Sequence, residues 1–214
     1  MIACGALGSS IREIARRRGW NIDVHNLSAL LHDRPSRIAP AVENMVAKEL
    51  AQGKRVAVAY ADCGTYGALD EVCERLGVQR LSGLHCYDVF AGADKIEEIF
   101  SDEPGTYLLT DFLIQSFRKT VISELGLDRY PELVGDYFGH YRRVVWIAQR
   151  PSPKLADEAQ SIAAMLGLPL VTIPTGGYGL ELALESLIEN SDLIGGKMRD
   201  GGDLLGEGEF AHAL

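Results

Sequence analysis

Three cysteines follow three short apolar runs of the chain, at points where a glycine or a histidine marks a turn. They are Cys4, Cys63 and Cys86. If the apolar runs are parallel strands, their carboxyl ends lie at one edge of the sheet, where open α/β sheets bind ligands. Thiolates that converge at such an edge are typical metal ligands. The sequence therefore predicts a metal centre with these three cysteines as its ligands.

Two of the cysteines are each followed by a glycine, Gly5 and Gly64, and both turns lead from a predicted strand into a predicted helix. A thiolate near a helix N-terminus is favoured by the positive end of the helix dipole. Glycine has no side chain, so its backbone can approach a bound group closely. We therefore predict that Gly5 and Gly64 contact the bound cofactor.

Two histidines are placed to join this site. His85 directly precedes Cys86, and we predict that it acts as a fourth ligand or as a proton donor. His32 lies in a loop before a helix that starts with proline, and we predict that it faces the same crevice and helps to bind the cofactor. The alternative interpretation of this loop is a helix entry in which Asp33 or Ser36 caps the helix.

Asp111 stands at another predicted junction between a strand and a helix. It has two interpretations: it caps the helix, or it serves catalysis as a carboxylate that holds a ligating histidine in one tautomer. Free cysteine also packs as a small hydrophobic residue, and Cys73 follows the helical spacing of its apolar neighbours. We therefore assign Cys73 to the core and exclude it from the metal centre.

The composition limits the class of protein. The chain has 214 residues, of which 47% are hydrophobic and 24% charged, so it can bury a full core without disulfides. A net charge of -9 argues against nucleic acid and anionic membranes as partners. There is no signal peptide pattern and no apolar run of about 18 residues. These features predict a cytoplasmic protein with reduced cysteines and a small-molecule ligand.

Short apolar runs alternate with longer runs at helical spacing, which predicts a regular succession of strands and helices. Strands are expected at 2–3, 20–25, 54–61, 78–81, 105–109, 143–148 and 170–173. Helices are expected at 9–18, 35–52, 66–76, 85–100 with a break near 92, 111–125, 153–166 and 180–189, and a short helix with a loop is expected at 131–140.

This alternation predicts an α/β fold with a mainly parallel sheet and helices on both faces, in three αβα layers. The site is expected at the C-terminal edge of the strands. Residues 1–190 are predicted to form a single α/β domain, with two sub-lobes as the alternative. Residues 195–214 are rich in glycine and acidic residues, and we predict that they form a flexible tail.

These segments resemble a bacterial and archaeal family catalogued as domain of unknown function 1638. The resemblance covers residues 1 to about 190. Its matching segments are Ala3-Cys4-Gly5-Ala6-Leu7, Leu31-His32 with Pro35, Asp62-Cys63-Gly64, His85-Cys86-Tyr87, Gly105-Thr106-Tyr107-Leu108-Leu109-Thr110 and Tyr141-Arg142-Arg143-Val144-Val145. Members are often associated with corrinoid proteins and with methyltransferases that act on methylated amines. The resemblance therefore implies one-carbon metabolism, with a corrinoid protein or a methyltransferase as partner.

Three functional hypotheses follow from the residues and the resemblance. The first is a metalloenzyme or metal-dependent accessory protein of corrinoid-linked methyl transfer, whose centre is either zinc or an iron–sulfur cluster. The second is a non-catalytic module that binds a metal or a cofactor. The third is a metal-free thiol enzyme, with Cys63 or Cys86 as nucleophile and His85 or His32 as base.

Overall fold

A computed structural model describes residues 1–191 and Leu193. The strands are β1 (Ile2–Cys4), β2 (His25–Leu27), β3 (Ala57–Ala59), β4 (Gln79–Arg80), β5 (Thr106–Thr110), β6 (Arg143–Ala148) and β7 (Leu170–Pro174). The α-helices are α1 (Gly8–Arg18), α2 (Ile38–Leu50), α3 (Ala68–Leu76), α4 (Cys86–Ala91), α5 (Ala93–Asp102), α6 (Asp111–Phe117), α7 (Val134–Phe138), α8 (Pro153–Met165) and α9 (Tyr178–Asn190). Short 3-10 segments cover Ala29–Asp33, Pro35–Arg37 and Pro131–Leu133, and a π-helical segment covers Arg118–Ile122.

Every strand pairing is parallel, and the strands divide between two sheets. The first sheet has the order β2-β1-β3-β4, and the second has the order β5-β6-β7. In the first sheet Ile2 of β1 pairs with His25 on one side and with Val58 on the other. The helices that alternate with the strands complete an α/β fold, which confirms the predicted fold class.

The two sheets share part of one hydrophobic core. Strand β6 shows why, because side chains of a strand alternate between its two faces. Val145 and Ile147 pack into the cluster around the first sheet, whereas Val144 and Trp146 pack against α6 and α8 on the opposite face. Helix α9 follows the second sheet in the chain, yet its apolar residues pack in the first cluster. The second half of the chain is therefore packed directly against the first.

Ion pairs on the surface cross the same junction. Arg17 and Arg18, in the last turn of α1, pair with Glu181 and Glu185 of α9. The basic run at the end of α1 also suits the negative end of the helix dipole. Exposed ion pairs contribute at most about 1 kcal/mol each, so apolar contact supplies most of the stability of this junction.

Most elements differ from the expected ranges by a few residues at their ends, and two differ more. The second strand was expected at 20–25 but begins at His25, because it pairs with a β1 that spans only Ile2–Cys4. The helix expected at 111–125 stops being α-helical at Phe117 and continues as a π-helical segment. The predicted tail, 195–214, lies outside the described residues. No helix in the described part of the chain is long and apolar enough to cross a membrane.

We predict that Leu184→Ala lowers the free energy of unfolding by about 2–5 kcal/mol, because Leu184 is fully buried where α9 meets the first sheet. Urea denaturation measures this change. The matched control is Leu182→Ala on the same helix, whose side chain is 45% exposed and whose removal changes stability by less than about 0.5 kcal/mol. Equal effects of the two substitutions would show that α9 is not packed in this core.

Candidate functional site

The order of the first sheet places the three cysteines at neighbouring strand ends. Cys4 is the last residue of β1, Cys63 follows β3, and Cys86 follows β4. These strands are adjacent in the order β1-β3-β4, and all run in the same direction. The 3-10 segment with His32 follows β2 on the other side of β1. All four side chains therefore stand at the carboxyl edge of one sheet, as the apolar runs predicted.

The imidazole of His32 is held in place by the backbone. Its Nδ1 lies 2.8 Å from the carbonyl oxygen of Ala29, and its Nε2 lies 3.9 Å from the Sγ of Cys4. A proton on Nδ1, donated to Ala29, leaves Nε2 directed at the sulfur. Histidines that bind metals usually donate their second N–H in this way, which fixes the ring and its tautomer.

His32 also interacts with the second cysteine. Burial alone would lower the pKa of His32, but its hydrogen bonds with the sulfurs of Cys4 and Cys63 raise this pKa to about 11. Burial, reinforced by the charges of the Cys63 and Cys4 sulfurs, raises the pKa of the Cys86 thiol. The three sulfurs are therefore close enough to influence one another, and His32 lies among two of them.

Tyr60 is a residue of this site that the sequence reasoning missed. Its side chain is fully buried, and its ring stacks on His32 with the centroids 6.3 Å apart. Within the described residues its hydroxyl makes no hydrogen bond of normal geometry, although it lies near the sulfur of Cys4. Burial raises the pKa of Tyr60, and the nearby sulfurs of Cys4 and Cys63 raise it further. A protonated donor thus lies beside the two cysteines. The signal in the sequence was a tyrosine at the end of a buried apolar run, two residues before Asp62.

The loop that carries Cys63 is organised by one buried carboxylate. Asp62 accepts hydrogen bonds from the backbone N–H groups of Gly64, Tyr66 and Gly67 and from the hydroxyl of Thr65, at 2.6–3.1 Å. This tight turn holds Cys63 in the left-handed region, with φ of 52°. Such a backbone is strained for any residue with a side chain, and strain of this kind concentrates at functional sites.

A pair of backbone hydrogen bonds joins the Cys63 loop to the segment before Cys86. The N–H of Cys63 donates to the carbonyl of Leu84 at 2.7 Å, and that of Asp62 donates to the carbonyl of Gly83 at 3.1 Å. The carboxylate of Asp88 accepts the N–H groups of Leu84 and His85. The two cysteine loops are therefore fixed relative to each other.

Gly5 and Gly64 are needed for the conformation and packing of the protein backbone. The sequence had suggested a different reason, close contact with a bound group. A Cβ at Gly5 would stand 2.6 Å from the carbonyl oxygen of Leu27 and 2.9 Å from the nitrogen of Ala29. The absence of that Cβ lets the His32 segment pack against the Cys4 turn. Gly64 has a φ of 80°, which the Asp62 turn requires. Contact of Gly5 and Gly64 with a cofactor stays a prediction.

The side chains of His85 and Asp111 contact residues other than the cysteines. His85 is exposed at the start of α4, where its ring neighbours Tyr87. Asp111 is buried in the second sheet and accepts hydrogen bonds from the Trp146 indole and from the backbone of Gln149 and Arg150. The cap of α6 is Thr110 instead of Asp111. Asp111 therefore braces β5 against β6, and the catalytic roles of His85 and Asp111 stay predictions.

Cys73 lies in the hydrophobic core on α3, where burial raises the pKa of its thiol to about 11. The other three thiols are also free. Within residues 1–191 and Leu193, no group of three or more His, Cys, Asp or Glu side chains is close enough in this conformation to hold a metal ion. Binding of one ion by the cluster would therefore need the side chains to close around it.

Comparison with known proteins gives one match. The model of a family described as "Protein of unknown function (DUF1638)" matches residues 26–184, which is more than half of the chain. The matched span contains His32, Cys63 and Cys86 and begins after Cys4. No curated protein and no solved structure matches the chain.

The strain at Cys63 can be measured with two variants that both lack the thiol. We predict that Cys63→Gly is more stable than Cys63→Ala by about 1 kcal/mol, because only glycine accepts a positive φ without a steric penalty. Chemical denaturation of both variants under metal-free conditions gives the difference. A more stable alanine variant would mean that the backbone at Cys63 is not left-handed.

Proposed function

The chain belongs to the DUF1638 family, and we propose that it is a metal-binding protein whose cysteines Cys4, Cys63 and Cys86 hold one metal centre. The observation that carries the proposal is that the three cysteines follow the carboxyl ends of three adjacent parallel strands. His32 lies beside them, with its Nδ1 engaged by the backbone and its Nε2 facing the sulfur of Cys4. Cysteine sulfur and histidine nitrogen are ligands of zinc sites and of iron–sulfur clusters.

The buried hydroxyl of Tyr60 supports the same proposal. A buried hydroxyl without a well-formed hydrogen bond is unfavourable by about 1–3 kcal/mol, so its position beside Cys4 favours an acceptor at this place. A metal-bound thiolate or a ligand of the metal would accept this hydrogen bond. Tyr60 would then hold the bound group in one orientation.

The charge of the cluster also favours a cation. Thiolates at Cys4, Cys63 and Cys86 would repel one another in a buried site, and this repulsion contributes to the raised pKa of Cys86. A divalent ion removes the repulsion and deprotonates the thiols that bind it. His32 would complete the set as a fourth ligand or remain free to position the substrate.

For the chemistry we propose methyl transfer in corrinoid-linked one-carbon metabolism, on the strength of the resemblance to the family. Zinc in a three-sulfur site with one open position would hold a substrate thiol as the thiolate that accepts a methyl group. A cluster with one iron not bound by cysteine would offer an open position of the same kind. A corrinoid protein or a methyltransferase is the proposed partner, and free thiols suit the cytoplasm.

Metal analysis tests the proposed site. We predict that anaerobically purified protein contains zinc or iron in stoichiometric amount, and that Cys63→Ser lowers metal affinity by about 100-fold or more. Loss of an outer hydrogen-bond partner of a metal site already lowers affinity by about 10–100-fold, so loss of a ligand has a larger effect. Elemental analysis together with competition against a chelator gives both values.

The matched control is Cys73→Ser, which removes a thiol from the core on α3 and leaves metal content unchanged. Wild-type protein without bound zinc or iron after anaerobic purification would contradict the proposal. Equal loss of metal in both serine variants would assign the loss to damage of the fold instead of the site.

A metal-free thiol enzyme is the second candidate, and the His32–Cys4 contact at 3.9 Å favours it specifically. An imidazolium beside a thiolate activates the sulfur as a nucleophile. Under this alternative the wild-type protein lacks metal, and iodoacetamide alkylates Cys4 or Cys63 faster than a free thiol at neutral pH. His32→Gln would abolish that enhanced reactivity.

Turnover separates an enzyme from a binding module. Metal-loaded protein is expected to transfer the methyl group of methylcobalamin to a thiol or folate acceptor, and Cys63→Ser is expected to abolish this transfer. A metal-loaded wild-type protein that is inactive across a broad panel of acceptors would favour the non-catalytic module.

A further inference from the structure

A cavity of about 170 Å³ opens directly beside the cysteine and histidine cluster. Parts of both sheets enclose it: the 3-10 segment after β2, the start of α4 and the junction between β5 and α6. The residues that line it are Ala6, Ala29, Leu30, His32, Asp33, Cys86, Tyr87, Thr110, Phe112, Leu113 and Thr120. The cavity thus joins the candidate metal ligands His32 and Cys86 to a mainly apolar wall supplied by the second half of the chain.

We propose that this cavity binds the substrate of the site, a small, uncharged and mainly apolar molecule with one hydrogen-bond acceptor. The inference rests on the proposed function in one respect, that His32 and Cys86 mark the reacting end of the cavity. The size, charge and polarity of the ligand follow from the volume of the cavity and the residues that line it.

The volume limits the size of the ligand. An apolar cavity of about 150 Å³ accepts benzene, so 170 Å³ suits a molecule of about six to eight non-hydrogen atoms. Ala6, Ala29, Leu30, Phe112 and Leu113 supply the apolar part of the wall. A nucleotide or a large planar cofactor does not fit, and such a group would have to approach from outside the cavity.

The charges around the cavity disfavour an anion. Of the described residues that line it, none is Lys or Arg. His32 is already engaged by the sulfur of Cys4, and Asp33 adds a carboxylate near the thiols. Carboxylates and phosphates are usually bound by Arg, by Lys or by free N–H groups at a helix N-terminus. At α6 the N–H of Asp111 donates to Gln149 and that of Leu113 donates to Thr110. These two donors are therefore not free to bind a carboxylate.

Two hydroxyl groups can orient the ligand. The Oγ1 of Thr110 accepts the N–H of Leu113, which leaves its own proton to donate. The hydroxyl of Tyr87, which also lines the cavity, is a second possible donor. Two such donors predict a ligand with an acceptor oxygen, such as an alcohol, ether or ketone group on the thiol that the metal would hold.

Three probes of similar size and different charge test the inference on the full chain. Benzyl alcohol, benzoate and benzylammonium are each added at millimolar concentration, and ligand-observed NMR reports binding. We expect benzyl alcohol to bind and benzoate and benzylammonium not to bind. Leu113→Trp fills the cavity and should abolish binding of benzyl alcohol, and Leu30→Trp, from the opposite wall, gives an independent second variant. The control is Leu182→Trp, on the exposed side of α9.

Metal content is measured in the same samples, so the two proposals can fail separately. Binding of benzyl alcohol that both filling variants abolish supports the cavity, even in protein that proves to contain no metal. Folded, metal-loaded protein that binds no benzyl alcohol would overturn the inference and leave the metal proposal intact. Tighter binding of either charged probe, or binding that the filled variants retain, would also overturn it.

Discussion

Parallel pairing of β1 with β3 is the constraint on which the site depends. Because β3 also pairs in parallel with β4, the carboxyl ends of three neighbouring strands stand in a row at one edge. Cys4, Cys63 and Cys86 each follow one of these ends. Antiparallel pairing of any one strand would carry its cysteine to the opposite edge of the sheet. The position of the three cysteines at one edge of the sheet is thus a consequence of strand direction.

Local hydrogen bonds then turn this shared edge into a specific arrangement. The carboxylate of Asp62 gathers the N–H groups of its loop and holds the strained backbone at Cys63. The Ala29 carbonyl fixes the ring of His32, and the missing side chain at Gly5 lets that segment approach β1. The site is therefore shaped mostly by residues that hydrogen-bond to backbone N–H and carbonyl groups. The cysteines themselves do not make these hydrogen bonds with their side chains.

The second sheet contributes a wall to the site. Helix α9 and one face of β6 pack in the core of the first sheet, and this packing brings the β5–α6 junction near His32. The cavity is lined by residues from both halves of the chain, so it exists only because the two sheets pack against each other. Asp111 follows β5 and accepts hydrogen bonds from Trp146 and Gln149, and these hydrogen bonds stabilise the part of the cavity wall that the second sheet supplies.

Much of the fold could be predicted from the sequence because strands buried on both faces read as continuous apolar runs. The run at 143–148 is such a case and coincides with β6. The placement of β2 could not be predicted in this way, because it depends on pairing with a very short β1 and not on its own pattern. The order of the strands could not be predicted from the sequence either, because it is set by packing between distant segments.

The candidate site was predictable in its residue types and less so in its roles. Cysteines at strand ends carry a local signal, and the structure places them at one edge. Tyr60 gave only a weak signal, because the folded core alone shows that its hydroxyl is buried beside Cys4. The sequence placed Asp111 at a junction of strand and helix, but it could not show the three hydrogen-bond donors from distant residues that hold its carboxylate.

X-ray absorption at the edge of the bound metal tests the central claim most directly. For zinc, we expect three sulfur neighbours at about 2.3 Å, with a nitrogen neighbour at about 2.0–2.1 Å if His32 is bound. An iron–sulfur cluster would give iron–sulfur and iron–iron scattering, with the same cysteines as protein ligands. A shell of oxygen and nitrogen neighbours alone, or fewer than two sulfurs per metal, would contradict the account.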